Sequence, residues 1–167
     1  MKIRLAGLVE ESSADGPGIR FVVFAQGCRH DCPGCHNPHT HAFEGGTLHE
    51  VDDLLAQMRA NPLLDGITLS GGEPFEQAEG FAELAKKARE RGYGVMTYTG
   101  YRYEELLDGM DVRDGWHYLL ETTDLLVDGR YEEALKTGLL PFRGSANQRM
   151  IDVRRSLREK RICLFDD

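Results

Sequence analysis

The sequence predicts an α/β fold: a partial, open (β/α) barrel with a mostly parallel sheet. Short β-branched and apolar runs alternate with helical segments, the pattern of right-handed β-α-β connections. The run ends carry glycine-rich turns. The chain has 167 residues, too few for the roughly 250 of a closed eight-fold barrel.

Each element has a local reason. Residues 3–9 read as an edge strand, and residues 19–25, Ile-Arg-Phe-Val-Val-Phe-Ala, as a buried strand. Residues 48–60 place Leu48, Val51, Leu54, Leu55 and Met58 at helical spacing until Asn61-Pro62 stops them. Residues 66–70 form a second buried strand running into Gly71-Gly72-Glu73-Pro74. The amphipathic helix 77–91 turns Phe81, Leu84, Ala85 and Ala88 inward, and Gly92 closes it. Strands follow at 94–99, 124–128 and 148–153, with a short helix at 103–107 after the first of them. The basic run 154–161 reads as a solvated helix face or tail. In a parallel sheet the loops after strand ends share one rim, which is where ligands bind.

Composition narrows the class. With 41% hydrophobic and 29% charged residues, the chain is expected to be a single domain, 1–167. No apolar run nears the ~20 residues that span a bilayer. The first six residues, Met-Lys-Ile-Arg-Leu-Ala, lack an export signal. A cytoplasmic protein without membrane contact is expected. A formal charge of -8 speaks against nucleic acid as a partner.

The chemistry concentrates in Cys28-x3-Cys32-x2-Cys35. Three thiols on one short loop, outside an export context, read as metal ligands rather than disulfides. A cube-shaped four-iron cluster held by three cysteines keeps one iron open for a reacting group. Two alternatives stand beside it. One is structural zinc, with His30, His36, His39 or His41 as fourth ligand. The other is an electron-transfer cluster completed by Cys163, which otherwise reads as a small buried apolar residue. Gly71-Gly72-Glu73-Pro74 is compatible with a plain strand-to-helix turn. Its carboxylate, its carbonyls and its lack of side chains also suit close approach by a cationic amine.

On these two motifs the chain resembles the radical S-adenosylmethionine superfamily. The resemblance implies that Cys28, Cys32 and Cys35 hold a [4Fe-4S] cluster. Its open iron would chelate the methionyl amino and carboxylate groups of S-adenosylmethionine. One electron would then cleave the sulfonium, and the resulting 5′-deoxyadenosyl radical would take a hydrogen atom. It further implies that Gly34, Cys35 and His36 line the adenosyl side, and that Gly71, Gly72 and Glu73 receive the methionyl ammonium. Gly34 stands where the superfamily commonly has an aromatic residue, so adenine stacking from that position is lost.

Asp15-Gly16-Pro17-Gly18-Ile19-Arg20 is similar to the activases of glycyl-radical enzymes. Four further segments resemble the activases of anaerobic ribonucleotide reductase: Cys32-Pro33-Gly34-Cys35, Thr99-Gly100-Tyr101, Leu125 through Tyr131, and Arg143 through Arg149. This resemblance runs over residues 11–153. It implies an enzyme that installs a radical on a glycine of the reductase large subunit, with a flavodoxin- or ferredoxin-type reductant. No general base is expected, because the hydrogen leaves as an atom, and no catalytic residue beyond the cluster. Asp15 and Arg20 would organise the loop before the cluster strand or the partner's glycine segment. Asn147, Gln148 and Arg149 would cap the last strand or touch a ligand. A pyruvate formate-lyase-type activase would share the first two motifs, but would be longer and would lack the segment Arg143 through Arg149.

Overall fold

A computed structural model describes residues 1–28, 30 and 42–165. Among these, seven strands make one sheet: β1 (Lys2–Ser12), β2 (Arg20–Ala25), β3 (Thr47–Glu50), β4 (Gly66–Gly71), β5 (Gly94–Tyr98), β6 (Leu125–Asp128) and β7 (Arg149–Asp152). Their order is β3-β1-β2-β4-β5-β6-β7, so β3 and β7 are the two edges and the sheet is open. The four central strands β2, β4, β5 and β6 run parallel. Antiparallel β1 and β3 flank them on one side and antiparallel β7 on the other.

Among the described residues five α-helices cover one face: α1 (Val51–Arg59), α2 (Ala78–Glu90), α3 (Tyr103–Gly109), α4 (Trp116–Thr122) and α5 (Val153–Glu159). The main core lies between them and the sheet. There Phe21, Val23, Ile67, Leu69, Val95 and Leu126 meet Leu54, Met58, Phe81, Leu84, Leu106 and Leu119. Burying one such side chain is worth roughly 1.5–3 kcal/mol, so this layer dominates the stability. A smaller cluster of Met96, Leu125 and Val127 sits on the other face, against Tyr98, Phe142, Met150 and Phe165.

Helix α2 turns inward the residues its periodicity predicts. Three elements differ from expectation. Residues 47–50 pair with β1 as β3 rather than starting the helix, and Leu48 is exposed there despite its helical spacing from Val51. The β1 strand is long and would otherwise offer an open edge, and Thr47–Glu50 covers its first four residues, Lys2 to Leu5. For the same reason β1 lies second from the edge, not at it. Helix α4 carries no strong sequence signal and forms because Trp116, Leu119 and Leu120 fill the core beside α2.

Arg20 is buried at the N-terminal end of β2, where it pairs with the first residue of β4. Its guanidinium donates to Thr68 Oγ1 (2.8 Å) and to the carbonyls of Pro17, Ile67 and Gly94 (2.9 Å each). Burial lowers its pKa, against the opposing charges of Asp124 and Asp65. Asp15 accepts from Ser12 Oγ at 2.6 Å, and its carbonyl accepts from Thr68 Oγ1 at 2.8 Å. The pair therefore organises the loop entering β2 from the end of the parallel strands opposite the rim.

Candidate active site

The C-terminal rim of the parallel strands gathers the motifs. Strand β2 runs through Gln26 and Gly27 to Cys28, and β4 runs into Gly71-Gly72-Glu73. Two backbone hydrogen bonds tie these segments together. Gly72 N donates to Ala25 O at 2.9 Å, and Glu73 N donates to Gly27 O at 2.7 Å. The glycine turn is thus fastened to the residue preceding the first cysteine. Gly71 has φ +108°, and a Cβ there would fall on the backbone of Phe24 and Ala25. Only glycine permits so close an approach.

Glu73 is fully buried. Its Oε2 accepts from Phe75 N (3.1 Å) and Thr99 Oγ1 (2.8 Å), and its Oε1 accepts from Gly100 N (2.8 Å). His30 Nε2 stands 2.7 Å from Oε1, and its side chain is 4% exposed. The His30 ring meets Tyr101 edge-on at 4.6 Å between centroids, and Tyr101 lies 4.7 Å from Trp116. Trp116 Nε1 donates to Phe75 O at 3.0 Å, and Tyr101 Oη donates to Glu76 Oε1 at 2.5 Å. Burial, then the Glu76 hydrogen bond and charge, push the Tyr101 hydroxyl up to about 12.

A cavity of about 560 Å³ opens beside His30 and is lined by Arg102, Arg130, Tyr131, Asn147 and Arg149. Arg149 spans it. Its guanidinium donates to the buried Asp128 carboxylate (Nη2–Oδ2 2.5 Å, Nε–Oδ1 3.1 Å) and to Glu104 Oε1 (2.6 Å). The Asp128 hydrogen bond, then that of Glu104, hold Arg149 firmly protonated against the cost of its burial, and Arg149 lowers the pKa of Glu104. Gln148 Oε1 accepts from Gly144 N (2.9 Å) and Ser145 N (3.2 Å), while its amide donates to Gly129 O (3.0 Å). Asn147 Nδ2 donates to Arg130 O at 2.8 Å. These residues fasten the β6–β7 connection, and Asn147 and Arg149 also face the cavity.

Of the expected site residues, Cys28, Gly71, Gly72 and Glu73 come together on the rim. Cys32, Cys35, Gly34 and His36 lie outside the described residues. Cys28 suits a thiolate-held cluster by the chemistry of its donor set, with two further cysteines on the same loop. Cys163 does not join it. Cys163 is buried, takes Ser156 Oγ on its backbone N–H at 2.8 Å, and pairs through its carbonyl with β7. The β7 strand stands four strands along from β2, about 19 Å at roughly 4.8 Å per strand. Of the histidines considered for zinc, His30 commits its Nε2 to Glu73. The partners of Glu73 on β5's exit, Thr99 and Gly100, belong to the Thr99-Gly100-Tyr101 segment that carries the resemblance, and the structure adds their contact with Glu73.

An open sheet whose rim joins a cysteine loop to a glycine–carboxylate turn defines an iron–sulfur domain of the radical S-adenosylmethionine type. Residues 14–151 match the family model described as "4Fe-4S single cluster domain". The chain belongs to that family and to the radical S-adenosylmethionine enzyme superfamily. It is closely related to anaerobic ribonucleoside-triphosphate reductase-activating proteins. That of Enterobacteria phage T4 is 34% identical over 142 residues, covering 81% of this chain and 85% of the relative. That of Escherichia coli K12 is 30% identical over 148 residues, covering 80% and 88%. A pyruvate formate-lyase-activating enzyme of Clostridium pasteurianum is 37% identical over 118 residues, covering 65% of this chain and 50% of that one. Among solved structures, QueE from Escherichia coli superposes with a TM-score of 0.49 at 17% identity over 60% of this chain and 53% of that one, too slight a likeness to inform the site. Among the described residues no helix is long and apolar enough to cross a membrane.

Proposed function

We propose that this chain is the activating enzyme of an anaerobic ribonucleotide reductase, using a [4Fe-4S] cluster and S-adenosylmethionine to install a radical on a glycine of the reductase. The observation that carries the reading is the pair of backbone hydrogen bonds from Gly72 and Glu73 to Ala25 and Gly27. They hold the turn suited to an amine beside Cys28. Cys28, Cys32 and Cys35 would hold the cluster, and Gly34, Cys35 and His36 would line the adenosyl side. The bound cluster would supply the electron that cleaves S-adenosylmethionine, and so the organic radical that draws a hydrogen atom from the glycine. This chain's residues supply position. Gly71 and Gly72 clear the space for the methionyl ammonium, and the buried Glu73 carboxylate contributes negative charge beneath it. The cavity beside His30, with Arg102, Arg130 and Tyr131 on its walls, is where the partner's glycine-bearing segment would enter. A flavodoxin- or ferredoxin-type protein would be the reductant.

Identity to the Clostridium activating enzyme favours a second reading, in which the glycine belongs to a formate-lyase-type enzyme. One experiment tests both. The protein is reconstituted anaerobically with iron and sulfide, reduced, and mixed with S-adenosylmethionine and either partner. Electron paramagnetic resonance of the reductase is expected to show a glycyl doublet. A doublet on the lyase alone selects the second reading. One zinc with no labile sulfide removes both.

A further inference from the structure

We infer that His30 is a positioning residue: two residues past Cys28, it ties the chain to Glu73, and so sets the Gly71–Glu73 turn for S-adenosylmethionine. The inference rests on the function proposed above and goes beyond it, because His30 enters neither the cluster donor set nor the cofactor contacts expected there. Three described residues seat the imidazole. Its Nε2 lies 2.7 Å from Glu73 Oε1, and its ring edge meets Tyr101 at 4.6 Å. Gly100 leaves room for it, since a Cβ there would fall on the His30 ring. The side chain is 4% exposed and Glu73 is 0% exposed. A hydrogen bond to an ionised partner in such a setting is stronger than a neutral one.

A carboxylate has about four acceptor positions. Phe75 N, Thr99 Oγ1, Gly100 N and His30 Nε2 take up all four on Glu73. Three of these donors come from the sheet rim, and only His30 comes from the cysteine loop, two residues past Cys28. Removing it takes away the one side-chain tie from beyond Cys28 to Glu73, while the other three donors and the backbone bonds from Gly72 and Glu73 to Ala25 and Gly27 stay. With its lone pairs occupied, Glu73 acts on an ammonium by charge and by geometry, and direct contact falls to Gly71 and Gly72.

The test compares reconstituted wild type, His30→Ala, His30→Gln and Gly100→Ala. The readouts are iron and sulfide content, S-adenosylmethionine affinity by equilibrium dialysis, and the change that S-adenosylmethionine makes to the resonance spectrum of the reduced cluster. His30→Ala is expected to keep its iron and sulfide, bind S-adenosylmethionine at least tenfold more weakly, and lose the spectral change at concentrations that saturate wild type. His30→Gln, which retains a donor, is expected to recover affinity to within about threefold. Gly100→Ala leaves His30 and Glu73 chemically intact but displaces the ring, and is expected to behave like His30→Ala. Affinity within twofold of wild type in His30→Ala overturns the inference. Tighter binding overturns it too, since it would mean His30 merely occupies the ammonium's place. Loss of iron and sulfide from both His30 variants also overturns it. Wild type that takes up no cluster or no S-adenosylmethionine defeats the proposed function instead.

Discussion

At the scale of single residues, two glycines with similar dihedral angles separate packing from backbone strain. Gly71 (φ +108°) and Gly92 (φ +90°) both lie where other residues are strained, but a Cβ at Gly92 meets open space. Gly92→Ala is expected to cost about 1 kcal/mol, the left-handed penalty alone. Gly71→Ala must also part β2 from β4, and at least about 3 kcal/mol is expected. Urea unfolding of the two variants measures the difference. Tyr101 gives a pH signature. Its hydroxyl titrates near 12 when folded, against an ordinary value of 10. Between those values the unfolded chain has released a proton that the native state still holds, so stability falls as pH rises from about 10. Below that range the contribution is fully present. Absorbance of ionised tyrosine is expected to show one group titrating near 12 that Tyr101→Phe removes.

At the scale of elements, β7 shows how the fold protects an edge. Asp152 N donates to Cys163 O at 2.9 Å and Phe165 N donates to Met150 O at 2.8 Å, so the C-terminal segment lies along the outer side of β7. Removing residues 163–167 takes away these bonds and the Phe165 ring packed on Met96, Leu125 and Val127. A loss of roughly 2 kcal/mol from that ring is expected, with concentration-dependent association through the bared edge. Denaturation midpoints and light scattering check the two effects. The same scale shows what the sequence made legible. Residues 66–71, 94–98 and 125–128 announced themselves because a buried parallel strand is a continuous apolar run closed by a turn. Helix α2 did so through its apolar stripe. Leu48 misled, because local helical spacing does not register the demand of a distant strand for a partner. The cysteine loop and the glycine turn were legible as chemistry. The ring of donors on Glu73 was not: Thr99 and Gly100 come 26 and 27 residues later, and no local pattern encodes a contact between neighbouring strand ends.

At the scale of the whole molecule, the core is built apart from Cys28, although Phe75, Tyr101 and Trp116 join it to the rim. The main core draws on the strands and on α1 through α5, and Cys28 is not part of it. Small metal modules that lack such a core unfold when the metal leaves. Chelator-treated protein is here expected to keep its helix content and a single cooperative thermal transition, read by circular dichroism. Collapse of that transition would make the cysteine loop a structural element. Trp116 gives this separation a practical use. It is the only tryptophan in the chain, it is 3% exposed, and it stands one ring beyond Tyr101 from His30. The molecule therefore carries a single built-in fluorophore at the foot of the rim. A coloured inorganic centre bound nearby would drain its emission by resonance transfer, so filling and emptying of the rim would become visible as brightness, without any label.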